Sequence, residues 1–195
     1  MLGGLLMAAV SISALYVLLA YIVINISYSL HLKHIALIDV NLIAMGFVLR
    51  LFAGAGAVEI SPSLWSVIMT FLLALFLALA KRRDDVLIYQ LTGKKVRPSI
   101  DGYNLPLIDG LMMIMASVVI VAYILYTTSD QVAPWIQGQY LYITSFFVIL
   151  GIMRYLQITI VEKNSGSPSK IVLTDRFLQI VILAWVLLFA WNIYL

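Results

Sequence analysis

The sequence predicts an all-α polytopic membrane protein of about six transmembrane helices, and three observations predict it. Apolar residues make up 64% of the chain and charged residues only 11%, a balance foreign to soluble domains. The apolar residues also gather into runs long enough to cross a hydrocarbon core of ~30 Å, which takes about 20 helical residues. Finally, of the 12 Lys and Arg residues, all but Arg50 fall on one side of the membrane once those runs are laid out as helices. An excess of basic residues marks the cytoplasmic side.

The runs cover residues 11–30, 35–57, 62–80, 105–126, 139–159 and 171–194. The first is preceded by ten uncharged residues, and the whole stretch to Leu30 is too long for one untilted crossing. Residues 1–10 therefore read either as the tail of an earlier helix or as part of a tilted or kinked first span. His31, Lys33 and His34 separate the first run from the second, which holds Asp39 near its start and Arg50 deep inside. Glu59 alone separates the second from the third. Ser61 before Pro62 marks the third start, where proline lacks a donor that the first helical turn does not need.

A polar segment at 81–104 follows, and Asn104 before Pro106 opens the fourth span by the same logic. Asp130 alone lies between the fourth and fifth runs, and Lys163 and Lys170 lie between the fifth and sixth. Arg154 sits near the end of the fifth, with Asp175 and Arg176 at the start of the sixth. Basic and non-basic breaks thus alternate. Trp65, Trp135, Trp191 and Tyr194 fall near the opposite ends of their helices, as headgroup-level aromatics do.

The chain has no cysteine, so disulfides and thiolate metal sites are excluded. Its net charge of +3 comes from the basic loops and reflects topology, with little to support binding of nucleic acid. The first apolar run is not preceded by a charged n-region or cleavage site of secretory type, and no internal repeat of 20 to 50 residues is found. His31 and His34 bracket Lys33 at i,i+3, but further ligands at matched geometry are lacking, so they read as headgroup-interface residues. The methionines and aromatics of 111–126 and 140–147 read as packing.

Ionisable groups inside a membrane need a partner, a water-filled cavity or a function. Here Asp39, the cluster Lys81, Arg82, Arg83, Asp84 and Asp85, then Asp109, Arg154, Asp175 and Arg176 all lie at the basic ends of different spans. They would ring a cavity opening to the cytoplasm. On the second span Asp39, Gly46, Arg50 and Ala57 project within about 40° of one another, a small and polar stripe. Asp39 and Arg50 lie about 16 Å apart along the axis, too far to pair. Arg50 needs either an acid on a neighbouring helix or an anionic ligand. The segment 81–104 mixes six basic with three acidic residues. That mixture suits a phosphorylated substrate chelated to Mg²⁺, or a positive-inside loop with Asp84 and Asp85 as local counter-ions.

Residues 28–35 (YSLHLKHI), 38–40 (IDV), 46–50 (GFVLR) and 53–55 (AGA) together resemble the UbiA superfamily of intramembrane prenyltransferases. Residues 80–83 (AKRR) with Asp85, then 101–104 (DGYN), Arg154 with Tyr155, and Asp175 with Arg176 are more narrowly similar to its decaprenyl-phosphate phosphoribosyltransferase branch. The resemblance implies one membrane-embedded region over 1–195, a truncated UbiA-like helical bundle with a functional loop at 81–104 and a cavity facing the cytoplasm. It implies transfer of the 5-phosphoribosyl group of phosphoribosyl pyrophosphate to a polyprenyl phosphate, with Mg²⁺, for cell-envelope precursors.

By the same resemblance Tyr28 and Lys33 would lie at the pocket rim, Lys81 and Arg82 would meet phosphate, and Asp39 and Arg50 would line the cavity. Asp85 would be the metal ligand. The family's first acidic motif, N-D-x-x-D-x-x-x-D, is expected ahead of this region and does not occur in the sequence, so a missing N-terminal fragment is expected to complete the enzyme. The expected location is the inner membrane, with the active face cytoplasmic. A prenyltransferase acting on an aromatic acceptor, or a non-catalytic membrane subunit, stays open as an alternative.

Overall fold

The computed structural model describes residues 12–129, 140–162 and 168–194. The readings made for residues 1–10, Asp130, Trp135 and Lys163, and for the side chain of Tyr194, lie outside the described residues. Within them the regular structure is entirely helical: α1 Ile12–Leu30, α2 Ile38–Ala57, α3 Leu64–Thr92, α4 Leu105–Thr127, α5 Thr144–Leu156, α6 Pro168–Thr174 and α7 Arg176–Tyr194. Short 3₁₀ turns at Leu32–His34 and Pro98–Gly102 bridge α1 to α2 and α3 to α4, and a π-helix, Gln157–Val161, extends α5.

The chain is a polytopic helical membrane protein, and among the described residues fewer helices qualify as spans than the six expected. Among the described residues four helical segments, α2, α3, α4 and Leu141–Val161, are long and apolar enough to span, and a fifth counts if α6 and α7 are taken together. Over its fully described residues α1 offers a shorter apolar stretch, Leu15–Leu30. The expected sixth span is broken at Asp175, where α6 and α7 meet at 88°. Asp175 accepts the Leu178 N–H at 2.8 Å and so caps α7 at that corner.

A second correction concerns 81–104, which is not one loop. α3 runs on through the basic cluster to Thr92 and stops only where Gly93 takes a left-handed conformation at φ 69°. α3 starts at Leu64, with the Ser63 hydroxyl accepting the Ser66 N–H at 3.1 Å, rather than at Pro62. Asn104 caps α4 as expected, accepting the Leu107 N–H at 2.8 Å with Pro106 in the first turn.

α3 is the central element, with α2 on one side and α4 on the other; α1 packs on α2, and α5 on α7. Lipid is as apolar as leucine, so contact between such helices depends on fit and on polar groups rather than on escape from water. Ala74, Ala78 and Ala80 give α3 a close-approach surface, and Phe76, Ile108, Met112 and Ile158 fill the core around it. Trp65 at the start of α3 meets Tyr126 at the end of α4 with ring centroids 6.5 Å apart, as antiparallel neighbours must.

Candidate functional site

The last turns of α3 carry two consecutive arginines, and at about 100° per residue they face different neighbours. Arg82 turns towards α2. It is fully buried, donates from Nη1 to Asp85 Oδ2 at 2.5 Å and places Nε 3.5 Å from Asp39 Oδ2. Asp39, also buried, accepts the Ser99 hydroxyl at 2.9 Å and the Tyr103 hydroxyl at 2.5 Å. Arg97 approaches Asp85 from outside at 3.7 Å. Two acids and two guanidiniums therefore form one chain from the exterior to the core, Arg97, Asp85, Arg82 and Asp39. Opposite charges in such a place are retained only if each is paired and hydrogen-bonded.

That condition is not fully met. Nε and Nη2 of Arg82 are buried without a hydrogen-bond partner, and unsatisfied buried donors are rare enough to need a reason. An anion arriving at the cluster would supply acceptors for them.

The turn at Pro98–Gly102 makes this arrangement possible. A Cβ on Gly102 would stand 2.5 Å from the Ala36 Cβ, so only glycine lets this turn lie against the chain entering α2. Tyr103 then accepts the Leu37 N–H at 2.7 Å while donating to Asp39. Leu37 has φ 67°, a conformation costly for a non-glycine residue, and the Tyr103 bond holds it there. Burial, reinforced by the bond to Asp39, pushes the Tyr103 hydroxyl well above the usual phenol pKa. It therefore stays a donor at any physiological pH.

Arg83 turns the other way. Its Nε donates to Asp109 Oδ1 of α4 at 2.6 Å and its Nη1 to the Thr159 carbonyl, also at 2.6 Å. The latter lies in the π-helix, whose wider turn frees carbonyls from the regular ladder. At the adjoining corner Arg154 pairs with Asp175 at 2.6 Å and Glu162 at 2.9 Å.

Alongside runs an apolar groove. A cavity of about 660 Å³ between α3, α5, α6 and α7 joins a second of about 380 Å³ through shared walls at Leu73, Val148, Ile152 and Trp185. Its wall reaches Leu77, about 7.5 Å along α3 from Arg82. The Tyr155 hydroxyl, on a side chain lining the larger cavity, is buried and has no hydrogen-bond partner.

The structure thus brings Asp39, Arg82 and Asp85 together, with Lys33 half-buried in the neighbouring 3₁₀ turn and Lys81 exposed one residue before Arg82. It sets Tyr28 and Arg50 apart, in a small cavity between α1 and α2. Arg50 makes no ion pair with an acid among the described residues; its Nη2 donates to the Tyr21 hydroxyl at 2.8 Å. Sequence reading gave no role to Ser99, Arg97 or Tyr103, although Gly102 beside Tyr103 was a signal of close backbone approach. The described residues do not fit a self-contained Mg²⁺ site. No three His, Cys, Asp or Glu among them could share an ion, and the Asp85 oxygen that faces inward is held by guanidinium.

Fold and site define a helical membrane protein with a buried ion-pair cluster at its basic end. The chain is similar to the decaprenyl-phosphate phosphoribosyltransferase of Mycolicibacterium smegmatis, 30% identical over 181 residues, covering 87% of this chain and 55% of the relative. It is also similar to the protein of that name from Corynebacterium glutamicum, 29% identical over 180 residues, 90% of this chain and 52% of the relative. The one from Mycobacterium tuberculosis is 25% identical over 170 residues, 87% and 55% respectively. The resemblance to this branch therefore extends over about nine-tenths of the chain, while the chain spans about half the length of these curated relatives. No family model matches the sequence.

Proposed function

We propose that this chain provides the phosphate-recognising part of an enzyme that moves a 5-phosphoribosyl group from phosphoribosyl pyrophosphate to a polyprenyl phosphate such as decaprenyl phosphate. The observation that carries the reading is Arg82: a fully buried guanidinium with two nitrogens lacking a hydrogen-bond partner, at the basic end of α3, the helix that further along also walls an apolar groove. A lipid chain lying in that groove would bring its phosphate to the basic end of α3.

In this reading Arg82 receives phosphate oxygens, and Lys33 and Lys81 hold the water-soluble diphosphate at the rim. Lys33 is half-buried and Lys81 exposed, both open to a soluble substrate. Asp39 and Asp85 orient Arg82. The phosphate oxygen of the lipid attacks the anomeric carbon, the bond to pyrophosphate breaks, and the cations offset the charge gathering on the departing group. Magnesium enters complexed to the diphosphate, as part of the substrate. The basic end faces the cytoplasm, the side on which such a substrate is made, and the membrane is the inner one. Tyr28 and Arg50 take no part, because they occupy a different cavity.

The test is a transfer assay in membranes with radiolabelled phosphoribosyl pyrophosphate and decaprenyl phosphate. It uses the chain alone and the chain co-expressed with the N-terminal portion of the C. glutamicum relative. A lipid-linked phosphoribose that disappears in a Lys81→Ala, Arg82→Ala variant supports the reading. Product formation unaffected by that variant, or no product from either preparation, overturns it.

A further inference from the structure

Arg50 poses a problem that the phosphate site does not solve. It lies on α2 well inside a span, is exposed, and makes no ion pair among the described residues. A charged side chain at such a depth faces a protein interior, a cavity or a counter-ion. Its surroundings say which. The guanidinium carbon is 5.0 Å from the centre of the Phe47 ring and 5.4 Å from that of Tyr21, so it is held between two aromatic faces. Phe47 lies one turn nearer the basic end than Arg50, and Tyr21 is midway along α1. The side chain thus reaches towards the middle of the bilayer, the opposite of an arginine that snorkels to the nearer interface.

The cavity it faces holds about 110 Å³ and is lined by Tyr21, Asn25 and Tyr28 from α1 and by Gly46 and Phe47 from α2. Spacings of four and three residues set Tyr21, Asn25 and Tyr28 on one face of α1, a polar stripe on an otherwise apolar helix. Of the lining residues Asn25, Phe47 and Arg50 are exposed, so the niche is open on one side. The space is large enough for the head of one carboxylate side chain.

We propose that this niche is the docking point for a further membrane-spanning helix bearing an aspartate or glutamate near the bilayer midplane, which pairs with Arg50. Charge complementarity selects the acid, and the inward reach of Arg50, away from the headgroup level where lipid phosphates lie, selects its depth and a side chain over a lipid head. Nearly half of each curated relative lies outside its match to this chain, and such a helix is to be sought there. This inference stands independently of the transfer reaction.

A direct test places the protein in phosphatidylcholine nanodiscs with a synthetic 20-residue Leu/Ala membrane-spanning peptide carrying one central Glu, or Gln in its place. Because the chain lacks cysteine, Ser61→Cys accepts a single dye, and energy transfer to a labelled peptide reports association. The Glu peptide is expected to associate at least about tenfold more tightly than the Gln peptide. That preference should persist in Arg50→Lys and vanish in Arg50→Gln. Equal association of the two peptides with the unmodified pocket overturns the proposal, and so does a preference that survives Arg50→Gln. Loss of the preference when phosphatidylglycerol replaces part of the lipid would show a lipid phosphate in the niche and would also overturn it.

Discussion

Arg82 and Arg50 are both arginines on spanning helices, yet they solve the same electrostatic problem in opposite ways. Arg82 is enclosed by carboxylates from α2 and α3, and its neighbours Ser99 and Tyr103 complete the shell. Arg50 has a tyrosine hydroxyl and two aromatic faces. The first is a charge balanced by acids from two helices, and the second is a charge with no acid beside it among the described residues. The position of an ionisable group in a span therefore says less about its role than the identity of what surrounds it.

Stability measurements can break or sharpen that contrast. Arg82→Ala should have the largest effect, since it strands Asp39 and Asp85 in the core; breaking a buried pair costs about 3–5 kcal/mol, read as a large drop in thermal midpoint in detergent. Gly102→Ala should cost about 1–3 kcal/mol by forcing the two 3₁₀ turns apart, and restoring space with Ala36→Gly should recover part of it. Tyr103→Phe removes a hydroxyl that serves both Asp39 and the Leu37 amide, and should cost about 1–3 kcal/mol, with faster hydrogen exchange at the Leu37 amide as its local signature. Arg50→Ala should lower the midpoint of the isolated chain least, by about 0.5–1 kcal/mol from lost aromatic contact. If Arg50→Ala proved as damaging as Arg82→Ala, the distinction between the two sites would fall.

Much of this was legible in the sequence. Hydropathy runs located the helices, and Asn104 with Pro106 fixed the start of α4. The failures have physical causes. α3 was expected to end at Ala80 because charge resembles a loop, yet Arg82 and Asp85 at i,i+3 stabilise one another on the same helical face, and Gly93 was the true stop. Asp39 and Arg50 lie on one stripe of α2 by angle, but a stripe has a single direction in sequence and two neighbours in space. Its lower half meets α3 and its upper half meets α1. Asp39 stood out as a charge in an apolar run, and Arg82 and Asp85 as members of a mixed-charge cluster. Ser99 and Tyr103 did not, because their bonds to Asp39 join residues 60 and 64 positions apart.

The adjacency of Arg82 and Arg83 has a consequence for how this protein can vary. One side chain ties α3 to the acid of α2, the next ties it to Asp109 and the π-helix carbonyl, so the two stations are separated by a fixed screw angle. Inserting or deleting a single residue between Ala80 and Asp85 would turn each guanidinium to the other's wall or to lipid. A change in the length of that short segment should therefore be as damaging as the loss of both arginines together.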